Sequence, residues 1–172
     1  MRRRFVSLLF VAMICAVPAA IWAQELPPPT GETGPSGLPL PRFVSLGTNA
    51  ANMRTGPGRR YPILWRYQRQ GLPLLVIDEY GNWRRVRDSE GSEGWMHASL
   101  LSGRRTGVVS GRIRPLHARP DPAAPVILRA EPGVLVDLLD CRVDWCRVRL
   151  AGRKAWIRRG HFWGVFAGEK FD

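Results

Sequence analysis

Apolar residues in this chain come in short runs that recur at every second position, broken by turns rich in glycine and proline. Leu72, Leu74 and Val76 share one parity, as do Val134, Val136 and Leu138. A period of two reads as half-buried β-strand. EYGN and CRVD are turn sequences between strands, and SEGSEG is a second hairpin turn that LAGRK shortens later in the chain. Glycines and prolines interrupt every candidate helical period.

The features also occur twice in the same order. Gly71 lies twelve residues before Trp83, and Gly133 twelve before Trp145. A valine follows each tryptophan three residues on, Val86 or Val148. A second tryptophan comes twelve residues after the first in one half, Trp95, and eleven after in the other, Trp156. GLPLLVID pairs with GVLVDLLD. MRTGPG pairs with ARPDPA, setting Arg54 against Arg119 at an offset of 65, and Val44-Ser45 against Val109-Ser110 at the same offset. The pattern predicts an all-β protein of two tandem small barrels over 42–103 and 106–172, each of about five short strands.

The ends lie outside that pattern. Arg2 to Arg4, the apolar run to Ala20 and the small residue Ala23 read as a secretory signal peptide over 1–23. The run is shorter than the roughly 20 apolar residues of a membrane span. Residues 24–41 are half proline and glycine and predict an extended, polyproline-like linker. Removing 1–23 takes three arginines and no acid, leaving 23 basic against 14 acidic residues, a net charge of +9. An exported protein does not normally meet nucleic acid. The anionic partners within reach are envelope carboxylates and phosphates, with peripheral membrane contact through the basic surface. The expected location is the periplasm or the medium, and the expected state is a monomer.

Barrels this small bury little surface and benefit from staples. Cys141 and Cys146 flank a hairpin turn, where opposed strand residues approach closely enough for a disulfide. Export permits its oxidation. With 1–23 removed, and Cys15 with it, that pairing leaves no free thiol for a cysteine nucleophile. His97, His117 and His161 are scattered, without metal-ligand spacing. Ser99 lies two residues from His97, but a triad also needs a buried orienting acid and an oxyanion site. The sequence predicts no catalytic residue, no metal and no cofactor.

Side chains alternate faces along a strand. Val86 and Val148 are the natural core residues, so Trp83 and Trp145 face out, packed on one side and exposed at one edge. The loop after Arg54 holds GPG, where Gly56 and Gly58 allow positive φ. It is not a phosphate loop, because RRYP follows in place of a helix start. Beyond it, Trp65 and Tyr67 fall on one face. The candidate ligand-binding residues are Arg54, Tyr61, Trp65, Tyr67, Trp83, Trp95, Trp145 and Trp156. Flat aromatic surfaces suit proline rings or sugar faces, and arginines suit carboxylates. Phe162, Trp163, Phe166 and Phe171 are expected to seal the junction between the copies.

Taken in order, NMRTGPGRRYPIL, GLPLLVI, GNWRRV and EGWMHASLL resemble the bacterial SH3-like domain over Ala51 to Leu101. The resemblance continues more weakly from Leu116 to Phe162, through ARPDP, GVLVDLL, DWCRV and AWIRR. In the second copy His117 stands in for Asn52, and Pro120-Asp121-Pro122 for the glycine hinge. The resemblance implies a binding module, of a kind commonly attached to cell-wall peptidases and amidases and held to recognise peptidoglycan or peptide. A structural or accessory protein of the envelope is the competing expectation.

Overall fold

The computed structural model describes residues 31–171, so the expected signal peptide lies outside them. Among the described residues there are fourteen strands and two single 3-10 turns. The first half holds β1 (Arg42–Leu46), β2 (Ala51–Arg54), β3 (Ile63–Tyr67), β4 (Pro73–Tyr80), β5 (Trp83–Arg87), β6 (Glu93–His97) and β7 (Leu101–Ser102). The second holds β8 (Thr106–Val109), β9 (Arg114–His117), β10 (Val126–Ala130), β11 (Leu135–Cys141), β12 (Trp145–Leu150), β13 (Arg153–Arg158) and β14 (Phe162–Trp163). Each set forms one antiparallel sheet curled into a small barrel. The orders are β3-β2-β6-β5-β4-β1-β7 and β10-β9-β13-β12-β11-β8-β14, which are the same topology.

The two cores match position by position. Leu46, Met53, Leu74, Val76, Val86 and Met96 fill the first, and Val109, Leu116, Val136, Leu138, Val148 and Ile157 the second. Side chains of this type contribute roughly 1.5–3 kcal/mol each on full burial. Val86 and Val148 are wholly buried and oppose a second matched pair, Val76 and Leu138 respectively, across the central hairpins.

Hydrogen bonds fix the true alignment of the copies and correct the one read from sequence. Gly47 N donates to Leu100 O as Ser110 N donates to His161 O, and Thr55 N to Pro62 O as Ala118 N to Pro125 O. The bulge between Met53 and Arg54 recurs between Leu116 and His117. From Leu46 to Tyr67 the offset is therefore 63, not 65. Arg54 corresponds to His117 rather than to Arg119, and Asn52 to Pro115. One residue is lost in the turn before Gly71 or Gly133, and one more in the hairpin that SEGSEG forms. Proline and arginine letters matched by eye misled here, because pairing register and not residue identity defines equivalence.

Cys141 and Cys146 form a disulfide across β11 and β12, with their Cα atoms 4.1 Å apart. Barrel 1 has no such bond. Instead the described part of the segment expected to be extended, residues 31–41, folds back on it. Thr33 bridges Pro39, and Gly34 N donates to Leu38 O at 2.8 Å. This turn sets Ser36 N and Oγ each 2.8 Å from the buried Glu79 carboxylate, which Arg42 and Arg84 also hold at 2.5 and 3.0 Å. A side chain at Gly34 would collide with Glu79. Burial alone would raise the Glu79 pKa, but the hydrogen bonds from Arg42 and Ser36 outweigh it and hold the carboxyl below its ordinary value.

The C-terminal aromatics divide their work. Phe162 joins the core of barrel 2. Trp163 and Phe166 pack on Phe43, with ring centroids 4.9 and 4.8 Å away, and with Leu75 they bury the junction between the barrels. Arg105 ties this junction together. Its guanidinium lies over Phe43 and Phe171 and donates to Glu169 Oε1 at 2.6 Å and Gly164 O at 3.1 Å. Phe171 O accepts from Cys141 N, so the chain's end closes over the disulfide.

Candidate functional site

Residues directly opposite in an antiparallel pair share a face. Trp83 opposes His97, Arg85 opposes Trp95, and Trp95 opposes Arg54. These side chains therefore lie together on the outer face of the sheet formed by β2, β6 and β5. The His97 ring stands edge-on to Trp83, 5.5 Å between centroids. A groove of about 340 Å³ opens here, lined by Asn52, Arg54, Arg59, Trp83, His97 and Ser99, among others. Trp83 is half-buried beside it.

The far wall of the groove is the loop after Arg54. Gly56 and Gly58 do not adopt positive φ, contrary to the reading from sequence. They are needed for close approach: a Cβ on Gly56 would lie 2.6 Å from the Tyr61 ring, and one on Gly58 at 3.3 Å. Tyr61 thus folds back onto the loop backbone, and Arg54 Nη1 donates to Tyr61 O at 2.7 Å. Arg59 has no hydrogen bond or ion pair among the described residues and projects at the groove's exposed rim.

His97 has a defined tautomer. Ser99 N and Ser99 Oγ both point at Nδ1, at 3.3 and 2.7 Å, and the backbone N–H can only donate. Nδ1 is the acceptor, which leaves the proton on Nε2. Among the described residues no carboxylate bonds this ring.

The other candidates lie elsewhere. Trp65 and Tyr67 line a separate notch of about 200 Å³ with Asp88 and Glu90. They share a face, as their spacing requires, but their exposures differ. Trp65 is 57% exposed at the sheet edge, whereas Tyr67 is buried. The Tyr67 hydroxyl donates to Asp88 Oδ2 at 2.7 Å, and burial together with that carboxylate drives its pKa up. The phenol is fully engaged by the fold.

In barrel 2 the face corresponding to the Trp83 groove is filled. Trp145 is only 9% exposed and His117 only 7%. The His117 ring stands edge-on to Trp145, 5.4 Å between centroids, and its Nδ1–H donates to Ala124 O at 2.9 Å. His117 makes the bond that Arg54 makes in barrel 1, since Ala124 occupies the place of Tyr61. Arg158, at the place of His97, lies 5.2 Å over the Trp145 ring. Trp156 is covered in turn by Arg142 and Arg147, at 5.2 and 6.0 Å. Of the eight predicted residues, the structure brings Arg54, Trp83 and Trp95 to one open face. Tyr61 buttresses its loop, Trp65 and Tyr67 form another notch, and Trp145 and Trp156 are covered by their own barrel.

Sequence reasoning did not give Asn52, His97 and Ser99 a binding role. Folding the hairpin about SEGSEG would have set His97 against Trp83, a signal that was available.

Among solved structures, the chain is similar to an NlpC/P60 family protein from Bacillus cereus, at 16% identity and a TM-score of 0.32. It is also similar to NlpC2 and NlpC1 from Trichomonas vaginalis, at 14% and 11% identity and a TM-score of 0.34 each. Each alignment covers 73% of this chain, but only 57%, 48% and 46% of those three chains, so the protein spans about half their length. Among curated proteins, none matches the chain in sequence. The bacterial SH3 domain family matches twice, at residues 47–103 and 111–164, and each match lies over one of the two barrels. Together the matches cover well over half of the chain, which therefore belongs to the bacterial SH3 domain family and carries that domain in two copies.

Proposed function

We propose that the protein is a non-catalytic binding module of the cell envelope, exported to the periplasm or the medium, that takes peptidoglycan or an extended peptide on the open face of barrel 1. The observation that carries this reading is the contrast between equivalent faces. Barrel 1 presents Trp83, His97 and an unengaged Arg59 around a groove, while barrel 2 covers Trp145 with its own His117 and Arg158. The flat surface of Trp83 suits a sugar face or a proline ring. Arg59 and the remaining donors of Arg54 suit the carboxylates of a peptide stem. Barrel 2 acts as a rigid partner, fixed through Phe43, Arg105 and Phe166.

The test is sedimentation of the full chain with purified peptidoglycan at low and high salt. Retention that persists at high salt and falls about thirtyfold in Trp83→Ala is expected, the loss of a buried aromatic anchor being worth about 2 kcal/mol. Equal retention of Trp83→Ala excludes this groove. Absence of retention, with an envelope protein recovered instead, favours a scaffold.

A further inference from the structure

The face that barrel 2 has closed is rimmed by charge. Where barrel 1 carries Asn49, Ala50, Ala51, His97 and Leu100, barrel 2 carries Arg112, Ile113, Arg114, Arg158 and His161 at the matching positions. Three of the five changes introduce a guanidinium, and one introduces an apolar side chain that stands 54% exposed between two of them. None of the three arginines pairs with a carboxylate among the described residues, although seven arginine–carboxylate pairs form elsewhere. Two are held in place: Arg114 Nε donates to Ser110 O at 3.0 Å, and Arg158 rests on Trp145. Ser110 N is in turn bonded to His161 O, which brings the loop carrying Arg112 beside Arg158 and His161. Like charges gathered without counter-charge oppose folding, and they are stabilised when an anion arrives.

We propose that this rim, Arg112, Ile113, Arg114 and Arg158, is a docking surface for an anionic phospholipid membrane, with Ile113 entering the headgroup layer and the guanidiniums contacting lipid phosphates. The exposed isoleucine favours a lipid surface over a free phosphate, which offers nothing apolar to bury. Guanidinium forks match phosphate geometry and are weakly hydrated. The same positive field is felt inside the barrel. Burial first, and then the charges of Arg114, Arg158 and Arg112, push the His161 pKa below its ordinary value, and its buried Nδ1 has no partner among the described residues. This inference stands apart from the Trp83 reading, because it uses the other barrel and a different ligand chemistry.

The experiment is flotation of the full chain with vesicles of phosphatidylcholine, with and without phosphatidylglycerol. Binding to the zwitterionic vesicles measures whatever the N-terminal apolar run contributes, and the excess on anionic vesicles reports the basic surface. Replacing R112Q, R114Q and R158Q together should lower that excess affinity by roughly two orders of magnitude, each basic residue at a membrane surface being worth about a fivefold change. Replacing R149Q, R153Q and K154Q, at the opposite end of the β12–β13 hairpin, removes the same charge and should cost far less. Ile113→Asn should weaken anionic binding several-fold without changing its salt dependence, and the charge reversal R112E serves if the triple variant fails to fold. Equal losses in the two triple variants would show diffuse charge and overturn the proposal. So would competition by inorganic phosphate as effective as that by vesicles, which would mark a free-anion site. Unchanged binding on Trp83→Ala separates this surface from the groove of barrel 1.

Discussion

Barrel 1 and barrel 2 share topology, core positions and a tryptophan paired edge-on with a histidine, yet one presents a groove and the other does not. The histidines come from different strands. In barrel 1 His97 stands beside Trp83 from the end of β6, leaving Arg54 to brace the loop. In barrel 2 the histidine occupies the bracing position itself, as His117, so its ring fills the space between the loop and Trp145. Arg158 then closes the face from the other side. At two matched positions, His117 in place of Arg54 and Arg158 in place of His97 supply the side chains that cover Trp145. The same contrast appears in how each barrel is secured. Barrel 2 has a disulfide and the chain's own end over it, while barrel 1 has a turn of residues 33–40 clamped on Glu79.

Three experiments break or sharpen this contrast. The largest effect is expected at Trp145. Truncating a buried tryptophan typically costs about 3–5 kcal/mol, so Trp145→Ala should strongly destabilise the protein in urea while leaving peptidoglycan retention intact in conditions where it is folded. Trp83→Ala should do the reverse, with little loss of stability and a large loss of retention. If both substitutions act alike, the two faces are not different in kind.

A smaller effect is expected in the loops. Gly56→Val must displace the Tyr61 ring and should cost about 1–3 kcal/mol by overpacking, with weakened binding because the groove wall moves. The matched substitution in barrel 2, Arg119→Val, replaces an exposed side chain at the equivalent place and should change the denaturation midpoint by only a few tenths of a kcal/mol.

The smallest effect lies in pH dependence. Glu79 has a folded pKa below its ordinary 4.5, so its contribution is complete above pH 4.5 and is lost as pH falls further. His161 has a folded pKa below its ordinary 6.5, so it begins to oppose folding as soon as pH falls below 6.5. Near-UV spectra should therefore report barrel 2 weakening at mildly acidic pH, before the clamp of barrel 1 releases. Replacement His161→Leu should flatten the first phase and leave the second. An unchanged profile in that variant would mean that the histidine is not the group responsible.

Much of the fold was legible because it rests on local rules. Alternating apolar residues, two glycine-bounded hairpins and the tryptophan-to-valine spacing together specify repeated strands and say which residues face the core. That is why Val86 and Val148 were found inward with Trp83 and Trp145 outward. The pairing register was not legible, and matching arginine and proline letters set the copies two residues out, so that His117 was paired with Asn52 when it replaces Arg54. The role of Gly56 was also hidden, because the need for a bare Cα came from a ring five residues on and not from the backbone's own conformation.

The site divides in the same way. Strand parity alone could say that Trp83 and Trp145 leave their cores, and composition alone could say that the surface is basic. Whether an outward tryptophan meets solvent or another side chain depends on what the neighbouring strands bring to it. That is a long-range matter of register, which no single segment encodes. The sequence by itself determined the twin barrels, their cores and the cysteine pair, because those follow from periodicity and short separations along the chain. Only the tertiary structure decided that barrel 1 stays open and barrel 2 is closed, that the proline-rich approach folds onto Glu79, and that unpaired arginines gather at one rim, because each of these depends on residues tens of positions apart meeting in space.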